Sequence, residues 1–322
     1  MSDVSDPVPF LQIFAHRVRT GDLAKQGDIV KKRTVESYLR SVGQVHTSVG
    51  ARDPRHDSVG KIDFRIYRQL RSYQREDPPA SRVKPVPVSV INHVYNIHVI
   101  GNACAQCIAD IIWVAFFFLM RPGEYCNAGA DNTSTPFRLC DVTFRRDKDQ
   151  YHAVTTPLHV LRTCNHVSLT FTEQKNSVKG ECIGHRSSGK RHACPVRRTL
   201  NRVAYLRSRG APSTIPLATY HDGAAWRTLH SSHFTTALRN SINAIGKEVG
   251  LAPEEVSARS LRASGAMALL LGGVDGDVIK LVGRWRSDEM LRYLHVTARS
   301  ITHNHARIMF NSGEYELLAP AP

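Results

Sequence analysis

The sequence predicts a mainly α-helical protein with a small antiparallel sheet, an α+β chain divided into two domains. Apolar residues recur at helical spacing through most of its length. Strand-like alternation is confined to residues 137–144, 167–172 and 180–183, where β-branched and aromatic residues sit between turn residues. Prolines at 78, 79, 85 and 87 break the helical pattern, because each lacks an N–H and restricts the residue before it. The break places a linker at about 78–88, between a domain of residues 1–80 and one of residues 81–322. A chain of 322 residues with 42% hydrophobic content is long enough for two domains and apolar enough to bury a core.

In the first domain, helices are expected at 9–19, 34–48 and 60–76. The third is the clearest, since Ile62, Ile66, Leu70 and Tyr73 form one stripe while Lys61, Arg65, Arg68 and Arg75 form another. One face is core and the other cationic. In the second domain, helices are expected at 89–96, 103–120, 195–207, 231–249, 261–271 and 278–282, with a last one near 288–295. The longest apolar run, 111–120, is about half of a ~20-residue membrane span and reads as a buried helix. No repeat of fixed period and no low-complexity segment appears.

The formal charge is +15 and the pI near 9.8, which favours a polyanionic partner but is shared with ribosome binders and membrane-surface proteins. Residues 1–85 hold 16 Lys plus Arg against 10 Asp plus Glu, a charge of +6, and the other 237 residues carry +9. The first domain is therefore the more densely basic. Seven cysteines without framework spacing argue for reduced thiols inside a cell. The N-terminal residues MSDVSDPVPF have neither a basic n-region nor a long apolar run, so no signal peptide is expected. No Gly-rich phosphate cradle, no Ser-His-Asp order and no paired acidic metal cluster stands out. Cys182, His185, His192 and Cys194 are zinc-ligand types, but the second pair is separated by one residue and the RSSGKR loop between the pairs is short and basic. No metal site and no cofactor are expected.

Three segments carry a pattern of their own. WVAFFFLMRPGEYC sets an apolar helix before Arg121 and Glu124; LTFTEQKNSVKGE places Lys175 and Lys179 in a polar turn between strand candidates. RSLRASGAMALLLGGVDGDVIKLVGRWRSDEMLRY runs from Arg259 through Arg262, an apolar helix and the turn Gly283-Arg284-Trp285 to Tyr293. In this order the three resemble the catalytic boxes of the tyrosine recombinase (phage-integrase-like) family over roughly residues 86–300. QKN, CPV, SLRASGAMALLL and GRWRS are similar to eukaryotic mobile-element recombinases of the Crypton or DIRS kind.

The resemblance implies a helical DNA-clamping, core-binding domain ahead of a catalytic domain that cuts and rejoins duplex DNA at a specific site. It makes Tyr293 the nucleophile, forming a 3'-phosphotyrosine link and a free 5'-hydroxyl. Arg121 and Arg262 become the phosphate clamp, Lys175 (or Lys179) the acid on the leaving oxygen, and Glu124 a structural carboxylate. The chemistry needs such a set, because charge builds on the non-bridging phosphate oxygens and an arginine fork bonds two of them at once. Lys61, Arg65, Arg68 and Arg75 become DNA contacts of the first domain. The implied partners are double-stranded DNA and further copies of the chain, a tetramer on DNA, with no membrane. The implied residence is the nucleus, or the cytoplasm of a prokaryote.

Arg259 stands where the family has histidine, and Arg284 where it has histidine or tryptophan. A guanidinium cannot accept a proton. Either Arg259 is a further phosphate donor and the tyrosine proton leaves through water, or the chain is a weakened recombinase that only binds DNA. Trp285 takes the tryptophan role if the turn is shifted by one. A type IB topoisomerase-like enzyme would share the nucleophile and the clamp.

Overall fold

A computed structural model describes residues 6–23, 27–78, 83–129, 134–172, 180–285 and 305–314. The chain divides into two compact units, residues 1–81 and 82–322. The described residues are predominantly α-helical, with a small antiparallel sheet. No helix among them is long and apolar enough to cross a membrane.

The first unit is built from α1 (Val8–Arg19), α2 (Lys32–Ser48) and α3 (Phe64–Glu76). Val8, Leu11, Ala15 and Val18 of α1 pack with Val35 and Leu39 of α2 and Ile66, Leu70 and Tyr73 of α3. Asp77 ties the three ends together: it pairs with Arg19 and accepts the Lys32 backbone N–H at 2.8 Å. The helix expected at 60–76 begins four residues late. Asp63 accepts the Arg65 N–H at 2.9 Å as N-cap, and the preceding backbone turns through a His56–Ile62 bridge. Lys61 therefore precedes the helix, and Ile62 is 39% exposed rather than core.

The second unit is organised around α5 (Ala103–Phe117), whose residues Cys107–Phe117 are all buried. A helix this apolar on every side belongs inside a domain. Around it pack α4 (Val88–His98), α8 (Pro195–Ser208) and α10 (Ser260–Leu271). Two short helices, α6 (Pro122–Tyr125) and α7 (Leu158–Leu161), lie in the connections. The capped helix α9 (Ser231–Val249) ends at Gly250, and α11 (Gly276–Gly283) and α12 (His305–Asn311) complete the helical layer.

The main sheet is antiparallel throughout, in the order β2 (Asp149–His152), β1 (Val142–Arg146), β3 (His166–Phe171), β4 (Glu181–Arg186). A separate ribbon pairs β5 (Thr219–His221) with β6 (Trp226–Thr228). The strand expected at 137–144 starts only at Val142, because Asp141 accepts the Arg138 N–H at 2.9 Å and folds residues 139–141 into a helical turn. The helix expected at 103–120 stops at Phe117, because Leu119 takes a left-handed φ. The expected helix near 288–295 falls outside the described residues.

Candidate active site

Two close approaches bring distant segments together. A Cβ on Gly265 would lie 2.3 Å from the Phe116 carbonyl, so α10 can rest against the backbone of α5 only with glycine there. Just before α10, Ala258 is fixed by both backbone groups: its carbonyl accepts the Tyr125 hydroxyl at 2.9 Å, and its N–H donates to Thr235 Oγ1 at 3.1 Å. Arg259 and Arg262 are thus positioned against the segment that carries Arg121.

Glu124 is the hub. Its side chain is 2% exposed, and its oxygens accept the Arg121 backbone N–H at 2.7 Å, Arg121 Nη1 at 2.9 Å and Arg284 Nη2 at 2.7 Å. Arg284 is buried as well, with further bonds from Nη1 to the Phe118 carbonyl (3.2 Å) and from Nη2 to the Leu119 carbonyl (3.3 Å). Those carbonyls follow the last turn of α5, where intrahelical partners run out. Leu119 takes a left-handed φ of 49°, which ends the helix and turns the chain toward Arg121.

Arg284 is left-handed too, with φ 58°. It occupies the C' position of a Schellman motif, its N–H donating to the Leu281 carbonyl and the Trp285 N–H to the Lys280 carbonyl. Glycine is usual there; a bulky residue costs on the order of 1–3 kcal/mol. The guanidinium bonds, together with the Phe171 ring 4.0 Å away, offset that cost. Arg284 is accordingly turned into the protein, where it braces Glu124 and the end of α5.

Arg262 differs. It is 8% exposed, lies 4.4 Å over the Trp285 ring and donates from Nη2 to the Gly283 carbonyl, but its Nε and Nη1 are buried with no hydrogen-bond partner. A Cβ on Gly283 would meet the Trp285 ring at 1.7 Å, so this glycine lets the indole fold back onto Arg262. Burial, with the charges of Arg121 and Arg284, pulls the Arg262 guanidinium down to about 9, which leaves it cationic at neutral pH. A buried cation with two unpartnered nitrogens is expensive. Among the described residues, three guanidinium groups gather at the Glu124 carboxylate, which bonds two of them, and Glu181 also acts on Arg284, so the cluster keeps a net positive charge.

Arg121 and Arg259 also line an open concavity of about 600 Å³, with Ser231, Thr235 and Ser257 on its wall. Arg121 is 28% exposed and Arg259 is exposed. Ser231 opens α9, so the helix N-terminus adds its partial positive charge to this wall. The sequence signalled none of the three hydroxyl residues, because serine and threonine in polar segments carry no distinguishing pattern.

The structure thus brings Arg121, Arg259, Arg262 and Arg284 into one region of the second unit. Tyr293, Lys175 and Lys179 lie outside the described residues. In the sequence both lysines fall between β3 and β4, and Phe171, the last residue of β3, pairs with Glu181 and touches Arg284.

In the first unit Arg68 and Arg75 are exposed and free of ion pairs among the described residues. Arg65 is not: Nη2 bonds Asp6 at 3.1 Å and Nε bonds Asp63 at 3.0 Å, so its charge is met within the unit. The four zinc-ligand types do not converge. Cys182 and His185 are three apart on β4 and so face opposite sides of the sheet, one exposed and one wholly buried against the Phe118 ring. His192 is set among Trp113, Tyr95 and Phe310, and Cys194 Sγ lies 3.3 Å from Ser187 Oγ.

No protein-family model matches the chain, and no curated protein matches it in sequence. Among solved structures it is similar to the Tn1549 transposon integrase in complex with circular intermediate DNA, with a TM-score of 0.46 and 12% identity over 90% of this chain and 81% of that one.

Proposed function

We propose that the chain is a tyrosine recombinase that cuts and rejoins duplex DNA through a 3'-phosphotyrosine intermediate on Tyr293. The observation that carries this reading is Arg262, a buried cation with two unpartnered nitrogens, grouped with Arg121 across about 140 residues of sequence. A scissile phosphodiester supplies the missing acceptor. Arg262 and Arg121 bond its non-bridging oxygens, and their fixed positions stabilise the charge that grows there during attack. Glu124 and Arg284 hold Arg121 in place.

Tyr293 Oη attacks phosphorus, and the P–O5' bond breaks. Lys175, or Lys179, protonates the leaving 5'-oxygen; both fall in the sequence between β3 and β4, and Phe171 at the end of β3 touches Arg284. The tyrosine proton leaves through water, since Arg259 cannot take it. Arg259 acts instead as a further phosphate donor from the wall of the concavity. The new phosphotyrosine ester keeps the energy of the broken phosphodiester bond, so religation by a 5'-hydroxyl needs no high-energy cofactor. Strand exchange involves several protomers, a tetramer on two duplexes, and exposed Arg68 and Arg75 of the first unit add backbone contacts.

Arg259 in place of a proton acceptor favours a second reading, a recombinase-derived DNA-binding protein that no longer cuts. End-group analysis separates the two. Duplex selected for binding is incubated with wild type and with Arg262→Ala, and new ends are labelled by polynucleotide kinase without prior dephosphorylation. The enzyme yields labelled 5'-hydroxyl ends that fall at least about 100-fold in the variant. Binding without new ends leaves the second reading.

A further inference from the structure

A second basic concavity lies at the other end of the main sheet. β3 begins there with His166 and β4 ends with Arg186, whereas Phe171, at the far end of β3, touches Arg284. At about 3.3 Å per residue the strand separates the two ends by roughly 17 Å. The concavity measures about 470 Å³ and is lined by Arg162, Asn165, Ser187, Arg191, Arg197 and Asn201 around a buried floor that includes Arg198.

Its charge is one-sided. No Asp or Glu lines it. Arg198 is matched by the buried Asp110 at 2.9 Å, yet at 7% exposure its Nε still has no partner. Arg162, Arg191 and Arg197 are exposed and form no ion pair among the described residues. The first turn of α8 forms part of the wall, and no side chain caps that 14-residue helix. Three guanidinium groups without ion pairs, the Asn165 side-chain amide and an uncapped helix N-terminus are the donors a phosphate group requires, while the Asn201 amide donates to Asp110 at 3.3 Å.

We infer that this concavity is a second phosphate-binding site, separate from the arginine cluster. It holds phosphate groups of a nucleic-acid backbone or of a small phosphorylated molecule, and the test distinguishes these sources. Full-length protein carrying Tyr293→Phe, which cannot react through that residue, is compared with the same protein carrying Arg162→Gln, Arg191→Gln and Arg197→Gln. Binding to a 60-base-pair duplex is titrated with salt, and inorganic pyrophosphate is titrated in a thermal shift assay.

If the backbone is the ligand, the slope of log affinity against log salt becomes shallower by about 2 to 3, near 0.9 per lost contact, and pyrophosphate has no effect. If a small phosphorylated molecule is the ligand, pyrophosphate raises the melting temperature of the parent but not of the variant, and the slope stays. An unchanged slope with no pyrophosphate response overturns the proposal. Should the triple variant fold poorly, Arg162→Gln and Arg197→Gln made singly must each weaken whichever signal the parent gives, and full retention of that signal in both overturns the proposal. None of these outcomes bears on Tyr293 as nucleophile.

Discussion

Removing Arg284 by Arg284→Ala tests whether this arginine is a buried brace. The change strands Glu124, whose side chain is 2% exposed, with Arg121 as its remaining cationic partner, and strips donors from the carbonyls of Phe118 and Leu119. Breaking a buried pair from one side costs about 3–5 kcal/mol. No relief of strain compensates, because alanine at φ 58° is disfavoured as well. For a unit of this size, residues 82–322, each kcal/mol moves the melting temperature by about 2–4 °C, so the transition should fall by roughly 6–20 °C.

Tryptophan fluorescence reads that unit alone, since all three tryptophans, 113, 226 and 285, lie in it. Arg284→Lys keeps the cation without the fork and should lose about half as much. A double-mutant cycle with Glu124→Gln should give a coupling of about 1–3 kcal/mol. A fall of under ~2 °C for Arg284→Ala would refute the bracing argument and return Arg284 to the set of groups offered to a substrate.

Other perturbations follow from the same geometry. Gly283→Ala forces the Trp285 ring away from Arg262 and should cost about 1–3 kcal/mol, with altered tryptophan emission; an unchanged melt and spectrum would contradict the stacked arrangement. His185, wholly buried, is pulled by burial from 6.5 to about 3, so it folds neutral and its contribution is complete above pH 6.5 and lost as pH falls toward 3. His185→Phe should therefore flatten the pH dependence of stability between 6.5 and 5 by up to ~1.4 kcal/mol per pH unit, and an identical slope in both proteins would dismiss that assignment. Lys175→Ala should slow cleavage of ordinary DNA by about 100-fold but spare a 5'-bridging phosphorothiolate, whose sulfur leaves without a proton. Equal loss on both substrates would point away from Lys175, and rescue seen only with Lys179→Ala would transfer the role.

Much of the helical architecture could be read from the sequence, because α2, α5, α8 and α9 are long and strongly patterned. The short strands β2, β5 and β6 were not legible: DQYH, TYH and WRT are too brief and too polar to show alternation. Motif order pointed to Arg121 and Arg262 as a phosphate clamp, but it gave no sign that Arg284 braces Glu124. The difference between Arg284 as a brace and Arg262 as a cation with two unpartnered nitrogens depends on a left-handed turn and on Glu124, 160 residues from Arg284. No local pattern encodes such a pairing. The pairing of Arg65 was equally hidden, since Asp63 begins the helix after Lys61 and, with Asp6, bonds the Arg65 guanidinium.

The central claim is that Tyr293 becomes covalently joined to DNA. Suicide duplex bearing a nick near the cleavage position, selected for binding, is incubated with wild type and Tyr293→Phe and resolved on a denaturing gel. The account predicts a protein–DNA adduct in the wild type, linked through the 3'-phosphate and absent from the variant, which still binds. An adduct that persists in Tyr293→Phe, or wild-type protein that binds tightly and never forms one, would contradict it.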